Sequence, residues 1–127
     1  MQAACDAYCR FIFVGIGGPG VTKDRDGVKD SGLHNKIESL PPGYVCIGDA
    51  AYQPTEHLVP ILGGNLAIKR DNNNFNYFTS QLRIHIEMAF GLMMRKWGIL
   101  QHPLTNLLAS IKELILCIAR LYNYCID

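Results

Sequence analysis

The chain has 127 residues, 49% of them hydrophobic and 18% charged, and its twelve basic and eleven acidic side chains leave a net charge of +1. That length suits one domain with a real core, near the lower end for a complete α/β enzyme, and the balanced charge excludes the strong positive field of a free-standing nucleic-acid binder. No apolar run approaches the roughly 18 to 20 residues of a membrane span, and no basic segment leads into a signal-like core, so a soluble chain without a visible address is expected.

Met1 to Cys5 is a short apolar start, Asp6-Ala7-Tyr8 supplies a turn, and Cys9 to Ile16 contains FIFVGI. Two strands around a tight connection predict an antiparallel hairpin. Gly15 to Gly20, GIGGPG, has the letters of GxGxxG after a strand. A dinucleotide-binding turn opens the first βαβ unit, whereas this one follows a hairpin, contains Pro19 and is not followed by further βα repeats. A glycine-rich strand exit is the favoured reading, with a nucleotide-binding domain kept as an alternative. Thr22 to Asp26 offers helix caps, and Gly27 to Leu40 predicts a short, imperfect helix with Val28, Leu33, Ile37 and Leu40 apolar and Gly32 interrupting it.

Pro41-Pro42-Gly43 ends that helix and leads into Tyr44 to Ile47, a continuous apolar run read as a strand buried on both faces. Asp49 stands at its carboxyl end, where open α/β sheets gather their catalytic groups. The competing reading is that Asp49 caps the following turn with its own side chain. His57 to Leu62 contains Pro60 and reads as a short or edge strand, and Gly63 to Asn76 as a polar loop with Asp71-Asn72-Asn73-Asn74 at its tip.

Asn76 to Met94 gives the strongest helical pattern, with Leu82, Ile86, Ala89, Phe90, Met93 and Trp97 on one stripe and Thr79 or Ser80 able to cap its start. Glu87 lies off that stripe, one turn after Arg83, where an exposed ion pair is the ordinary outcome. Leu107 to Ile126 is a long helix, apolar on most sides, that needs the domain body or a partner to cover it. The five cysteines form no CxxC pair and read as reduced, buried thiols of an intracellular protein.

PGVTKD (19–24), IGDAAY (47–52), FNYFTSQLRIHIEMAFGLMMRKWGIL (75–100) and LYNYC (121–125) together resemble the nuclease domain of PIF/Harbinger transposases and the endonucleases derived from them. The resemblance covers nearly the whole chain, and the block around Glu87 is its most specific part. It implies an RNase H-like α/β fold, a mixed sheet flanked by helices, with residues 1–127 forming a partial DDE-type nuclease domain that lacks the first, central strand. It also implies two aspartates and a glutamate that bind Mg²⁺ or Mn²⁺ and cut DNA, a nuclear location, and a separate Myb-like DNA-binding protein as partner. Asp49 matches the second aspartate, in the GDxxY motif, and Glu87 the glutamate, in IEMAFG, with Met88 where the family has arginine; the two lie 38 positions apart.

Such acids suit the chemistry, because two divalent ions about 3.5 to 4 Å apart activate a water and stabilise the departing alkoxide, and carboxylates are the ligands hard cations take. Asp49 is expected to bridge the ions and Glu87 to hold one, with Arg83 steadying the carboxylate or touching a phosphate. The family's first aspartate sits in an IDGTH-like strand expected upstream of Met1; neither Asp6 nor Asp24 matches it, and the helix-turn-helix region of full-length relatives is not encoded here. The expectations are therefore weak, millimolar Mn²⁺ binding and no independent cleavage. A catalytically dead adaptor binding protein or DNA, and a decayed gene fragment, stand as alternatives. With the sheet order 3-2-1-4-5 that the resemblance implies, the hairpin is expected to slide across and pair antiparallel with the Val45 strand.

Overall fold

The computed structural model describes residues 1–16, 32–65, 70–104 and 108–126. β1 (Gln2–Cys5) and β2 (Phe11–Gly15) form the predicted antiparallel hairpin, with Gln2 opposite Gly15 and Ala4 opposite Phe13. Asp6 builds its turn: Oδ1 accepts the N–H groups of Tyr8 at 2.9 Å and Arg10 at 3.0 Å, and Oδ2 accepts Arg10 Nε at 2.8 Å. Cys9 completes the turn in a left-handed conformation, φ 62°, that a residue with a side chain seldom adopts.

Burial pushes the Asp6 carboxyl upward, but hydrogen bonds from Arg10 and Tyr8 and the Arg10 charge outweigh it and hold the pKa below its ordinary value. A carboxylate whose folded pKa is lowered adds stability that is present above its unfolded value near pH 4 and lost as pH falls through the folded one. Asp6→Ala is expected to cost about 1 kcal/mol at pH 7, a modest figure because the turn is partly solvated. In urea denaturation the gap between variant and wild type should close below about pH 4; a gap that stays constant down to pH 2 would show that the charge plays no part.

Leu33 and Ile37 are the buried side chains of α1 (Leu33–Glu38). Gly32 does not interrupt this helix; it precedes it at φ 76°, and the 27–31 part of the predicted element lies outside the described residues, as do Gly17 to Gly20 of GIGGPG and all of PGVTKD. β3 (Cys46–Gly48) and β4 (Leu58–Pro60) pair in parallel, Cys46 opposite Leu58 and Gly48 opposite Pro60. The strand thus starts two residues later than expected. Tyr44 and Val45 are not buried on both faces but 65% and 54% exposed, because they border an open cleft.

α2 (Arg70–Lys96) begins six residues earlier than its apolar stripe suggests, so the Asp71 to Asn74 tip is helix, not loop. Asp71 in the first turn complements the positive end of the helix dipole, and Asn76 anchors the segment by binding the Leu62 backbone through both ends of its amide, at 2.9 and 2.8 Å. These tertiary and electrostatic terms outweigh the poor helix propensity of asparagine. Thr79 is no cap; it is buried within the helix, its hydroxyl donating to the Phe75 carbonyl at 2.9 Å.

A one-turn 3₁₀ segment (Gly98–Gln101) follows α2, and α3 (Leu108–Ile126) closes the chain. Ala89 and Met93 of α2 meet Ile118, Ala119 and Tyr122 of α3 and Phe11 of β2 in the main core, with Phe11 and Tyr122 rings 5.2 Å apart. Leu82, placed on the same stripe by its spacing, is 58% exposed. Cys9 is buried and Cys5 half-buried, and desolvation, with Cys9 and Asp6 nearby, pushes the Cys5 thiol up to about 11. Cys117 and Cys125 correct the buried reading: they lie on the solvent side of α3. No disulfide joins any of the five cysteines.

A second, smaller core joins Leu33 and Ile37 to Leu58, with Phe13 and Tyr52 against it. The arrangement is mixed α/β, but the strands do not form the single mixed sheet of an RNase H-like fold: among the described residues they make two separate two-stranded sheets. Nor does the hairpin slide across. Among the described residues β1 pairs with β2 and β3 with β4; the main core holds the hairpin against α2 and α3, and the small core packs Leu58 of β4 and Ala4 and Phe13 of the hairpin against α1. Between β1 and β3 runs a cleft of about 380 Å³.

Candidate metal and nuclease site

Asp49 follows the last residue of β3, so the parallel pair delivers it at a strand's carboxyl end as the sequence implies. Its side chain is exposed, and Oδ1 accepts the Ala50 N–H at 2.6 Å while its carbonyl accepts the Tyr52 N–H at 3.1 Å. The carboxylate therefore shapes the 49–52 turn while the residue stays exposed. Gly48 is buried beneath Tyr52, with room for no side chain. Glycine, aspartate and tyrosine at this spacing form one packed turn.

Glu87 lies midway along α2, its side chain 55% exposed, and accepts a hydrogen bond from the Arg83 guanidinium one turn earlier. The exposed ion pair anticipated from the spacing is present, and pairs of this kind contribute only ~0.3 to 0.5 kcal/mol. Arg83 and Gly48 both line the β1–β3 cleft, so each acid adjoins a residue of that wall, and α2 packs against β3. His57, between the two acids in sequence, is structural: it is buried, with Nδ1 2.9 Å from the Tyr44 carbonyl oxygen.

As donors, two carboxylates fit a hard divalent ion. Among the described residues no three or more His, Cys, Asp and Glu side chains gather closely enough to hold a metal. Sequence reasoning missed Asn76 and Asn123, whose amides hold backbone at the rims of the two sheets; the available signal was asparagine, a weak helix former, standing alone in the largely apolar last helix at 123, whereas Asn76 lies in a polar run that hid it.

One acid thus stands at the end of a parallel strand and a second on the helix packed against that strand, within a mixed α/β domain. The family described as DDE superfamily endonuclease matches residues 1–123, and the chain belongs to it. That membership carries a nuclease or transposase-derived character, DNA as substrate and a general use of divalent metal. No curated protein and no solved structure matches the chain. Among the described residues no helix is long and apolar enough to cross a membrane.

Proposed function

We propose that residues 1–127 are a partial nuclease domain of the PIF/Harbinger kind, with an RNase H-like ancestry, that binds Mg²⁺ or Mn²⁺ through Asp49 and Glu87 and is directed at DNA phosphodiester bonds. The observation that carries this reading is the family match across 1–123 together with Asp49 at the carboxyl end of β3. When bound, the metal supplies water activation and charge stabilisation at the leaving oxygen. Asp49 would offer its exposed carboxylate and Glu87 a carboxylate that would have to leave Arg83, whose guanidinium could then meet a phosphate. A nuclear location and a Myb-like DNA-binding partner complete the proposal by resemblance.

Two carboxylates leave several coordination positions to water, so Mn²⁺ binding in the millimolar range is expected. Isothermal titration should show it in wild type and lose it in Asp49→Asn. Equal heats from both proteins would remove the site.

A second reading, a catalytically dead adaptor, is favoured by one observation: both acids are already engaged, Asp49 in its own turn and Glu87 with Arg83. With no third acid beside them among the described residues, the isolated chain is expected to nick supercoiled DNA no faster than background in Mg²⁺ or Mn²⁺. Robust nicking that Glu87→Gln abolishes would discard the adaptor reading and the expected inactivity together.

A further inference from the structure

Two aromatic side chains far from Asp49 each carry a cation. The Arg10 guanidinium carbon lies 5.4 Å from the centre of the Tyr8 ring and Lys96 Nζ 5.7 Å from the centre of the Trp97 ring, both within the range of a cation–π contact. Tyr122 links the two pairs: its ring is 6.3 Å from that of Trp97, and its hydroxyl donates to the carbonyl of Cys9, the residue between Tyr8 and Arg10. α2 sets their distance from the candidate metal site. Near its start Asn76 binds Leu62 just beyond β4, at the carboxyl end of the strand pair where Asp49 stands, and the helix runs about 30 Å from there to Lys96.

The hairpin turn beneath Tyr8 is fixed. Asp6 makes three hydrogen bonds within it, one of them from Arg10 Nε, and Tyr122 ties down Cys9. Tyr8 leaves this turn 77% exposed, with the guanidinium on one ring face and the other face open, so little ordering remains to be lost when a flat ligand lands on it. Arg95 and Lys96 occupy the last turn of α2, where positive charge suits the helix dipole. The dipole does not neutralise them. Both are exposed, and among the described residues neither pairs with a carboxylate. An open aromatic face and uncompensated cations at one end of a molecule are the two parts of a site for a single nucleic-acid strand, since bases stack on the ring and phosphates meet the cations.

We infer that this end of the chain docks single-stranded DNA: an unpaired base stacks on the open face of Tyr8, and neighbouring phosphates contact Arg95 and Lys96. The choice of DNA rests on the substrate of the family, while the site itself uses neither acid and needs no metal. With a net charge of only +1 the chain exerts no strong long-range pull, so stacking carries the affinity and the two cations add to it locally. Duplex DNA keeps its bases stacked on one another, and an acidic peptide has no base to offer the ring. A strand held here lies the length of α2 from Asp49, so the site anchors DNA and does not cut it.

Trp97 is the only tryptophan of the chain, so its emission reports occupancy of this end directly. A short oligodeoxythymidine titrated into the full chain in EDTA should change that emission saturably, and the same length of duplex should bind at least about tenfold more weakly. Tyr8→Ala, at an exposed position outside both cores, should weaken single-strand binding about tenfold, and Tyr8→Phe should restore it. Arg95→Gln combined with Lys96→Gln should reduce the slope of log affinity against log salt by about 1.4, the share of two phosphate contacts on a single strand. No saturable change in emission, wild-type affinity in Tyr8→Ala, an unchanged salt slope, or equal binding of duplex or of polyglutamate would each overturn the site. Binding here is measured without metal and the nuclease reading by the Mn²⁺ heats of Asp49→Asn, so either can fail while the other stands.

Discussion

Tyr122→Ala is expected to cost about 3 to 5 kcal/mol, a large share of the ~5 to 15 kcal/mol that holds a domain folded. Tyr122 is 1% exposed, its ring lies 5.2 Å from Phe11 and 6.3 Å from Trp97, and its hydroxyl donates to the Cys9 carbonyl at 3.1 Å. It therefore ties α3 to the hairpin, to the end of α2, and to the one residue other than glycine with positive φ among those described. Tyr122→Phe keeps the packing and strands only the Cys9 carbonyl, so about 1 to 2 kcal/mol is expected for it. Urea unfolding followed by circular dichroism separates the two. If the alanine variant unfolds within 1 kcal/mol of wild type, the hairpin is anchored elsewhere.

The elements that local chemistry dictates were readable in the sequence. Asp6 marked its turn, Pro60 its edge strand, and Ala89, Phe90, Met93 and Trp97 the inward face of α2. Periodicity reports which face of an element avoids water, but not which neighbour covers that face. For this reason Leu82 belonged to the stripe and yet faces an open cleft, and the division of the strands into two sheets was not visible at all. Cys117 and Cys125 sit in apolar runs whose other residues carry the burial. The early start of α2 was hidden because it depends on Asn76 reaching Leu62 across fourteen positions, a contact no local pattern encodes. At the site, the hydrogen bond to Ala50 bears out the turn-shaping reading of Asp49, and the same residue stands at the strand's end.

Replacing Gly48 should disturb that end of β3 more than any other single methyl group. A Cβ placed there would lie 2.8 Å from Tyr52 Cδ2 and 3.1 Å from Leu58 Cδ1, closer than side chains tolerate, so the Tyr52 ring must give way. Tyr52 is joined through its N–H to the Asp49 carbonyl at 3.1 Å, and displacing it turns Asp49 with it. Gly48→Val, which adds two further methyl groups against Leu58 of the small core, is expected to cost about 1 to 3 kcal/mol and to lower the heat of Mn²⁺ binding. Tyr52→Ala removes the obstructing ring. The double variant should then be more stable than the sum of the single effects predicts, by about 0.5 to 3 kcal/mol as for residues in contact. Additive costs in that cycle would mean that the ring does not exclude a side chain at position 48, and that glycine precedes Asp49 for a reason outside this turn.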